Sequence, residues 1–343
     1  MKTLQKESLD KWGNHVISVT AAAENGLQAE FLSLGACIRK VSLRLNNEEE
    51  KVLTLSYKGI DQYFKCDSCA GMTIGPNAGR IPAINGLIAN EGVNQIHGGS
   101  HNLTTHNWEL MSIEETPTAC TIKFFTAQTD GIDGWPGNRR YQVLYTLDDT
   151  GWLSITYRAE TDCKTYFNMT NHTYWNLTGE SSHGFDQILN VPSDLVCMND
   201  ENFLPVATQS CDSFFTSLQR PRLHKDHIPL GPSLNHSFFL RTASASRGFT
   251  QTAHMHETAR MHQAASLRDP ATGITLKMMT DAPALVVYGG DYLSKGIPLL
   301  GDQVSMPYCA VALEAQEMPA LTGFTFTTPE KPFIRRIRFH ISF

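Results

Sequence analysis

Long hydrophobic runs are missing from this 343-residue chain. Nothing in it reaches the roughly 18 consecutive apolar residues of a membrane-spanning helix, and the opening MKTLQKESLDKWGNHVISVT holds no apolar segment of secretory length. The expectation is a cytoplasmic protein with no membrane partner. Clustered charge is missing too. There are 28 basic and 34 acidic side chains, a formal net charge of −6 and no basic block. Binding a phosphate backbone needs concentrated Lys and Arg, so no nucleic-acid partner is expected and a small neutral one fits better. Eight cysteines, at Cys37, Cys66, Cys69, Cys120, Cys163, Cys197, Cys211 and Cys309, are too sparse for a disulfide scaffold in a chain of this length and read mostly as reduced core residues. The minimal motifs of nucleotide binding, zinc proteolysis and serine hydrolysis (GxxxxGK[ST], GxGxxG after a strand, HExxH, GxSxG) do not occur. Cys66 and Cys69 form a lone CxxC without a second pair, and His254, His256 and His262 in HMHETARMH match metal spacing only loosely, so no metal is expected.

Strand patterning is plentiful. YQVLYTL (141–147), LSITYRAE (153–160) and IRFHISF (337–343) put apolar side chains at every second position. Turn-forming GIDGWPGN (131–138), DDTG (148–151) and DPATG (269–273) separate such runs, and short turns between successive strands predict antiparallel pairing. Helical periodicity is scarce; the best candidate is one short helix from Asp61 in DQYFKCDSCAGM. From about Asn199 to Arg260 the pattern fades into Ser, Pro, Gln and His, which reads as long loops. With 41% hydrophobic residues and no compositional break, the expected architecture is all-β, a large antiparallel β-sandwich formed by residues 1–343 as a single domain.

Four stretches join glycine or asparagine to proton-transferring groups: GPNAGRI (75–81), NQIHGG (94–99), NMTNHTYWNLTG (168–179) and VALEAQEMP (311–319). In NQIHGG the strand is predicted to end at His97, where two glycines release the backbone. Period-2 counting sends Val311 and Leu313 to one face and Ala312, Glu314 and Gln316 to the other. The same count gathers Asn168, Thr170, His172, Tyr174 and Asn176 on a polar face, with Trp175 opposite as core. His172 is then either a structural histidine content with one donor and one acceptor, or an acid aimed at a ligand. Glu314 has a plain alternative as a solvated strand residue, GPNAGRI as a tight turn, and His97 as a loop residue packed on Trp108.

Taken together and in order, the four stretches resemble the aldose 1-epimerase (mutarotase) family, with its G-R-x-A-N-R-I, N-x-L-H-G-G, N-L-T-N-H-S-Y-F-N-L and L-E-T-Q elements. GWPGNRRYQVLYTL and ITLKMMTDAPALVVYGGDYL are also similar to family segments, so the resemblance covers almost the whole chain. It implies a sandwich of the galactose-mutarotase type, no cofactor, a small-molecule sugar as partner, His172 as proton donor, Glu314 as proton acceptor and His97 holding the sugar. Arg80, Tyr174 and Asn235 complete the expected sugar-binding set. Ring opening of an aldopyranose needs a proton taken from the anomeric hydroxyl and one given to the ring oxygen, which a carboxylate and an imidazolium on opposite sides of C1 provide.

The chain departs from the family pattern at Pro76 (arginine there), Gly79 (asparagine), Asn235 (aspartate) and Val286 (glutamine). Losing an arginine and a carboxylate removes charge-assisted hydrogen bonds worth about 1.5–3 kcal/mol each, so the resemblance carries the chemistry without a galactose preference. Two rival readings follow: a non-catalytic carbohydrate-binding protein on the same sandwich, and an epimerase of a phosphorylated or acidic sugar. The second needs basic residues in the cleft, and offers only Arg80 with Arg139 and Arg140 as loop candidates.

Overall fold

In the strands Arg139–Asp148, Trp152–Thr161 and Phe333–Ser342, every second side chain is fully buried, as the alternating sequence requires. They lie side by side and antiparallel within a nine-stranded sheet. The computed structural model that shows this describes residues 1–343 apart from 10–12, 45–49, 65–67, 85, 242–259, 320 and 322–323.

Two further sheets cover the buried face. One is five-stranded and runs from Lys2 to Val52; the other is six-stranded, in the order Tyr174–Trp175, Val311–Gln316, Ala284–Tyr288, Asn235–Leu240, Ser193–Asn199 and Pro205–Ser210. One continuous core draws on all three: Phe31 stacks on Tyr145 at 4.8 Å, and Trp175 meets Phe339 at 4.8 Å. Each such large apolar side chain contributes about 1.5–3 kcal/mol on full burial, and this is what binds the sheets into a sandwich.

The six-stranded sheet is buried on both faces where it matters for function. Val311, Leu313 and Ala315 enter the main core, while Ala312 joins a second apolar cluster with Tyr57, Met72 and Leu293 beneath the opposite face. Glu314 and Gln316 share that opposite face and line a cleft.

Three expectations change. Residues 168–179 are not one strand: Thr170–Asn171 and Tyr174–Trp175 are separate two-residue strands that pair with different partners, Thr73–Ile74 and Val311–Ala312. The stretch from 199 to 260 is not all loop. It holds the strands Pro205–Ser210 and Asn235–Leu240 and the helix Cys211–Ser217, whose N-cap Ser210 accepts a hydrogen bond from the Ser213 amide. Pro205–Ser210 is the exposed edge of its sheet and so lacks alternation. The helix expected from Asp61 is a 3-10 helix, Ile60–Phe64.

Candidate active site

The chain brings His172 to the cleft by breaking a strand. Asn171 Oδ1 accepts from the amide of Thr173 at 3.1 Å, and its Nδ2 donates to the Gly71 carbonyl at 2.9 Å, so a side chain replaces ladder bonds at the kink. The backbone of His172 is then clamped, donating to the Met72 carbonyl and accepting from the Gly71 amide, both at 2.9 Å. Gly71 is needed there: it sits at φ +72°, and a Cβ would stand 2.0 Å from the Ile38 carbonyl oxygen.

Glu314 arrives from mid-strand, opposite Val286. His172 Nε2 lies 3.5 Å from Glu314 Oε1. Both residues are buried, at 5% and 4% exposure, yet both line a cavity of about 1080 Å³. The two groups are neighbours rather than facing each other across the hollow. The second carboxylate oxygen, Oε2, accepts from Gln316 Nε2 at 3.1 Å. His172 Nδ1 has no hydrogen-bond partner among the described residues. Burial raises the Glu314 carboxyl above its usual range, opposed by the His172 charge, the Gln316 hydrogen bond and Arg80.

The other expected residues reach the same cleft. His97 follows the strand Asn94–Gln95 in a left-handed conformation (φ +56°), with its ring 5.5 Å from that of His172 at a steep 76°. Burial, with His172 and Arg80 nearby, pushes its imidazole down to about 3, so it is neutral and can only donate or accept hydrogen bonds. It packs on His172 and near Cys69, whose Sγ is 3.8 Å from His97 Nδ1. Tyr174 sets its ring 4.8 Å from His172 and donates its hydroxyl to the Ser68 carbonyl at 3.0 Å. Arg80 lies 4.6 Å over the Phe203 ring and donates from Nη2 to Glu91 at 3.1 Å. Asn235 lines the cleft beside His236, as do Gly79 and Val286; Pro76 is not among the lining residues.

Arg139 and Arg140 do not join them. Both belong to the strand Arg139–Asp148, which begins two residues before the alternating run at 141–147, and Arg139 is fully buried where it donates to the Trp135 and Gly137 carbonyls at 2.7 Å. Cys66, His254 and His256 lie outside the described residues. Among the described residues no group of three or more His, Cys, Asp or Glu is placed to hold a metal. Three site residues were not singled out from sequence: Asn77, Asn168 and Gln316. The signal for two of them was present, since Asn168 shares a face with His172, and Gln316 with Glu314, in the period-2 count.

The sequence model of the aldose 1-epimerase family matches residues 18–323. An aldose 1-epimerase of Haemophilus influenzae is 27% identical over 309 residues, covering 88% of this chain and 86% of that protein. A galactose mutarotase of Mus musculus is 26% identical over 305 residues, covering 85% and 83%. The crystal structure of a galactose 1-epimerase from Lactobacillus acidophilus superposes with a TM-score of 0.79 at 25% identity, covering 99% of this chain and 98% of that one. With nearly the whole length matched in sequence and in fold, the chain belongs to the aldose 1-epimerase family, isomerases that interconvert the α and β anomers of an aldose at C1.

Proposed function

We propose that Glu314 is the base and His172 the acid of anomer interconversion, and that the substrate is a neutral aldopyranose. The observation that carries the assignment is the 3.5 Å meeting of the two side chains, from distant parts of the chain, in the wall of one cavity. The carboxylate takes the proton of the anomeric hydroxyl, the C1–ring oxygen bond breaks as C1=O forms, and the imidazolium gives its proton to the ring oxygen. Both oxygens are bonded to C1, so an acid and a base side by side serve them without moving. After rotation about C1–C2 the groups exchange roles: neutral His172 removes the proton from the C5 hydroxyl as it closes on C1, and the protonated Glu314 returns one to the carbonyl oxygen. A carboxyl raised by burial is a stronger base than a solvated one, which suits this task.

Neutral His97 and Asn235 bind sugar hydroxyls, Tyr174 offers its ring beside His172, and Arg80 closes one rim. Replacing His97 by Ala removes a neutral hydrogen bond worth about 0.5–1.5 kcal/mol, so KM should rise roughly 2- to 13-fold. Initial-rate polarimetry over a range of sugar concentrations checks this; an unchanged KM would take His97 out of the binding set.

Support for a neutral sugar comes from charge pairing in the cleft. Arg80 is engaged with Glu91, and Glu317 with Arg335. Exchange spectroscopy on glucose, galactose and their 6-phosphates should show faster anomer exchange for the neutral sugars, with the phosphates at least about 10-fold poorer because of uncompensated charge. The reverse order would move the reading to a phosphorylated substrate. We also take residues 1–343 as one domain, on the support of the core shared by all three sheets, and the cytoplasm as its compartment, on the support of cysteines that are joined in no disulfide among the described residues.

A further inference from the structure

We propose that Gln316 is a positioning residue, holding the Glu314 carboxylate through a chain of amides, Asn77, Asn168 and Gln316, whose donor direction is set by two backbone groups. The inference rests on the reading of Glu314 as the base. Gln316 Nε2 donates to Glu314 Oε2 at 3.1 Å. Its Oε1 accepts from Asn168 Nδ2 at 3.3 Å, and the same Nδ2 lies 3.3 Å from Asn77 Oδ1.

A side-chain amide has two orientations, and only one of them presents N–H to a carboxylate. At Asn168 the choice is made by the Glu317 backbone amide, which donates to Oδ1 at 2.8 Å; a nitrogen in that place would set donor against donor. At Asn77 it is made by the Gly79 carbonyl, which accepts from Nδ2. With both pinned, Asn168 must offer Nδ2 to Gln316, Gln316 must turn Oε1 to meet it, and its Nε2 is left for Glu314. All three amides are buried, so a flip would strand donors and acceptors away from water. Gly79 completes the arrangement. A Cβ there would stand 3.2 Å from Gln316 Oε1, closer than ordinary contact, so the bare glycine gives the amide its place.

The consequence is that Oε2 of Glu314 is tied to a neutral donor while Oε1 stays toward His172. The hydrogen bond from Gln316 opposes the upward push of burial on the carboxyl. Of the charged groups, His172 and Arg80 act on the Glu314 carboxyl, and His97, His236, Glu91, Glu317, Tyr174 and Tyr288 are among the titratable groups lining the same cleft.

The test uses Gln316→Met, which keeps length and removes the donor, and Asn168→Ala, which keeps Gln316 but frees it to flip. Two readouts are taken on the whole protein: the acid limb of the pH–rate profile for anomer exchange, and the Glu314 carboxyl titration followed by carbon-13 NMR, assigned with Glu314→Gln. In Gln316→Met both should move upward by about one pH unit, with kcat down about 10-fold and KM changed far less. Asn168→Ala should shift them the same way by less, and the double variant should shift no further than Gln316→Met. An unmoved titration in folded Gln316→Met and Asn168→Ala overturns the proposal and leaves Gln316 a wall residue. A titration that moves while the rate profile does not would support the contact and overturn Glu314 as the base.

Discussion

Glu314→Gln and His172→Asn should each slow anomer exchange by about 10²- to 10⁴-fold, since each removes one positioned proton-transfer group while preserving shape. The double variant should be little worse than the poorer single one. Opening the ring requires both transfers in one event, so once either group is lost the other has little left to assist. Polarimetry on freshly dissolved α-sugar, corrected for the spontaneous rate, measures all three. Rates within a factor of two of the parent in both single variants would reassign the site.

Stability supplies the control. Burial is the largest influence on Glu314 and raises its folded pKa above the unfolded value. A carboxyl shifted that way contributes stability below its unfolded pKa, near 4.3, and loses that contribution as pH rises through the folded value. The ionised form therefore works against the fold at neutral pH. Glu314→Gln should gain in melting temperature relative to the parent between pH 4 and pH 8, so inactivity at pH 7 with an intact or raised melting temperature separates lost chemistry from lost structure. A relative fall over the same interval would contradict the raised pKa.

Arg335→Met should destabilise the protein by about 3–5 kcal/mol, the usual cost of removing one member of a buried ion pair. Arg335 is 1% exposed and its partner Asp281 3%; Nη1 and Oδ1 are 3.2 Å apart, and Nη2 meets Glu317. Methionine fills comparable space but leaves two carboxylates short of a cation. Asp281 keeps the half-buried Arg336, at 3.2 Å, whereas Glu317 keeps none among the described ion pairs. The loss reaches the site as well, because the Glu317 amide orients Asn168. Urea unfolding should give a lower midpoint with an unchanged slope, and a loss under about 1 kcal/mol would mean that water or Arg336 already serves these carboxylates. Arg336→Met, at a partly exposed position, should cost less.

The residues of the candidate site were more legible than their geometry. His97, His172 and Glu314 stand in motifs that resemble one family, and the period-2 count put Glu314 and Gln316 on one face, where they lie. The strand reading failed at 168–179, where the count still put Asn168, His172 and Tyr174 in the cleft and Trp175 in the core, because Asn171 bonds to the backbone around it and kinks the chain, a competition invisible to hydrophobic patterning. It also failed at Pro205–Ser210, since an edge strand exposed on most of its side chains carries no alternation to read.

By itself the sequence determined three adjacent strands of the nine-stranded sheet, the inward and outward faces of each, and the small set of groups able to move protons. These are local properties: in extended backbone, side-chain direction depends only on the position of a residue along its own strand. Only the tertiary structure decided which distant segments touch. The 3.5 Å contact of His172 with Glu314, the seating of His172 over Gly71, and the amide contact between Asn168 and Gln316, 148 residues apart, depend on sheet order and on close approaches of backbone. Such contacts arise from packing among all the sheets at once, and no single stretch of the chain contains the information to place them.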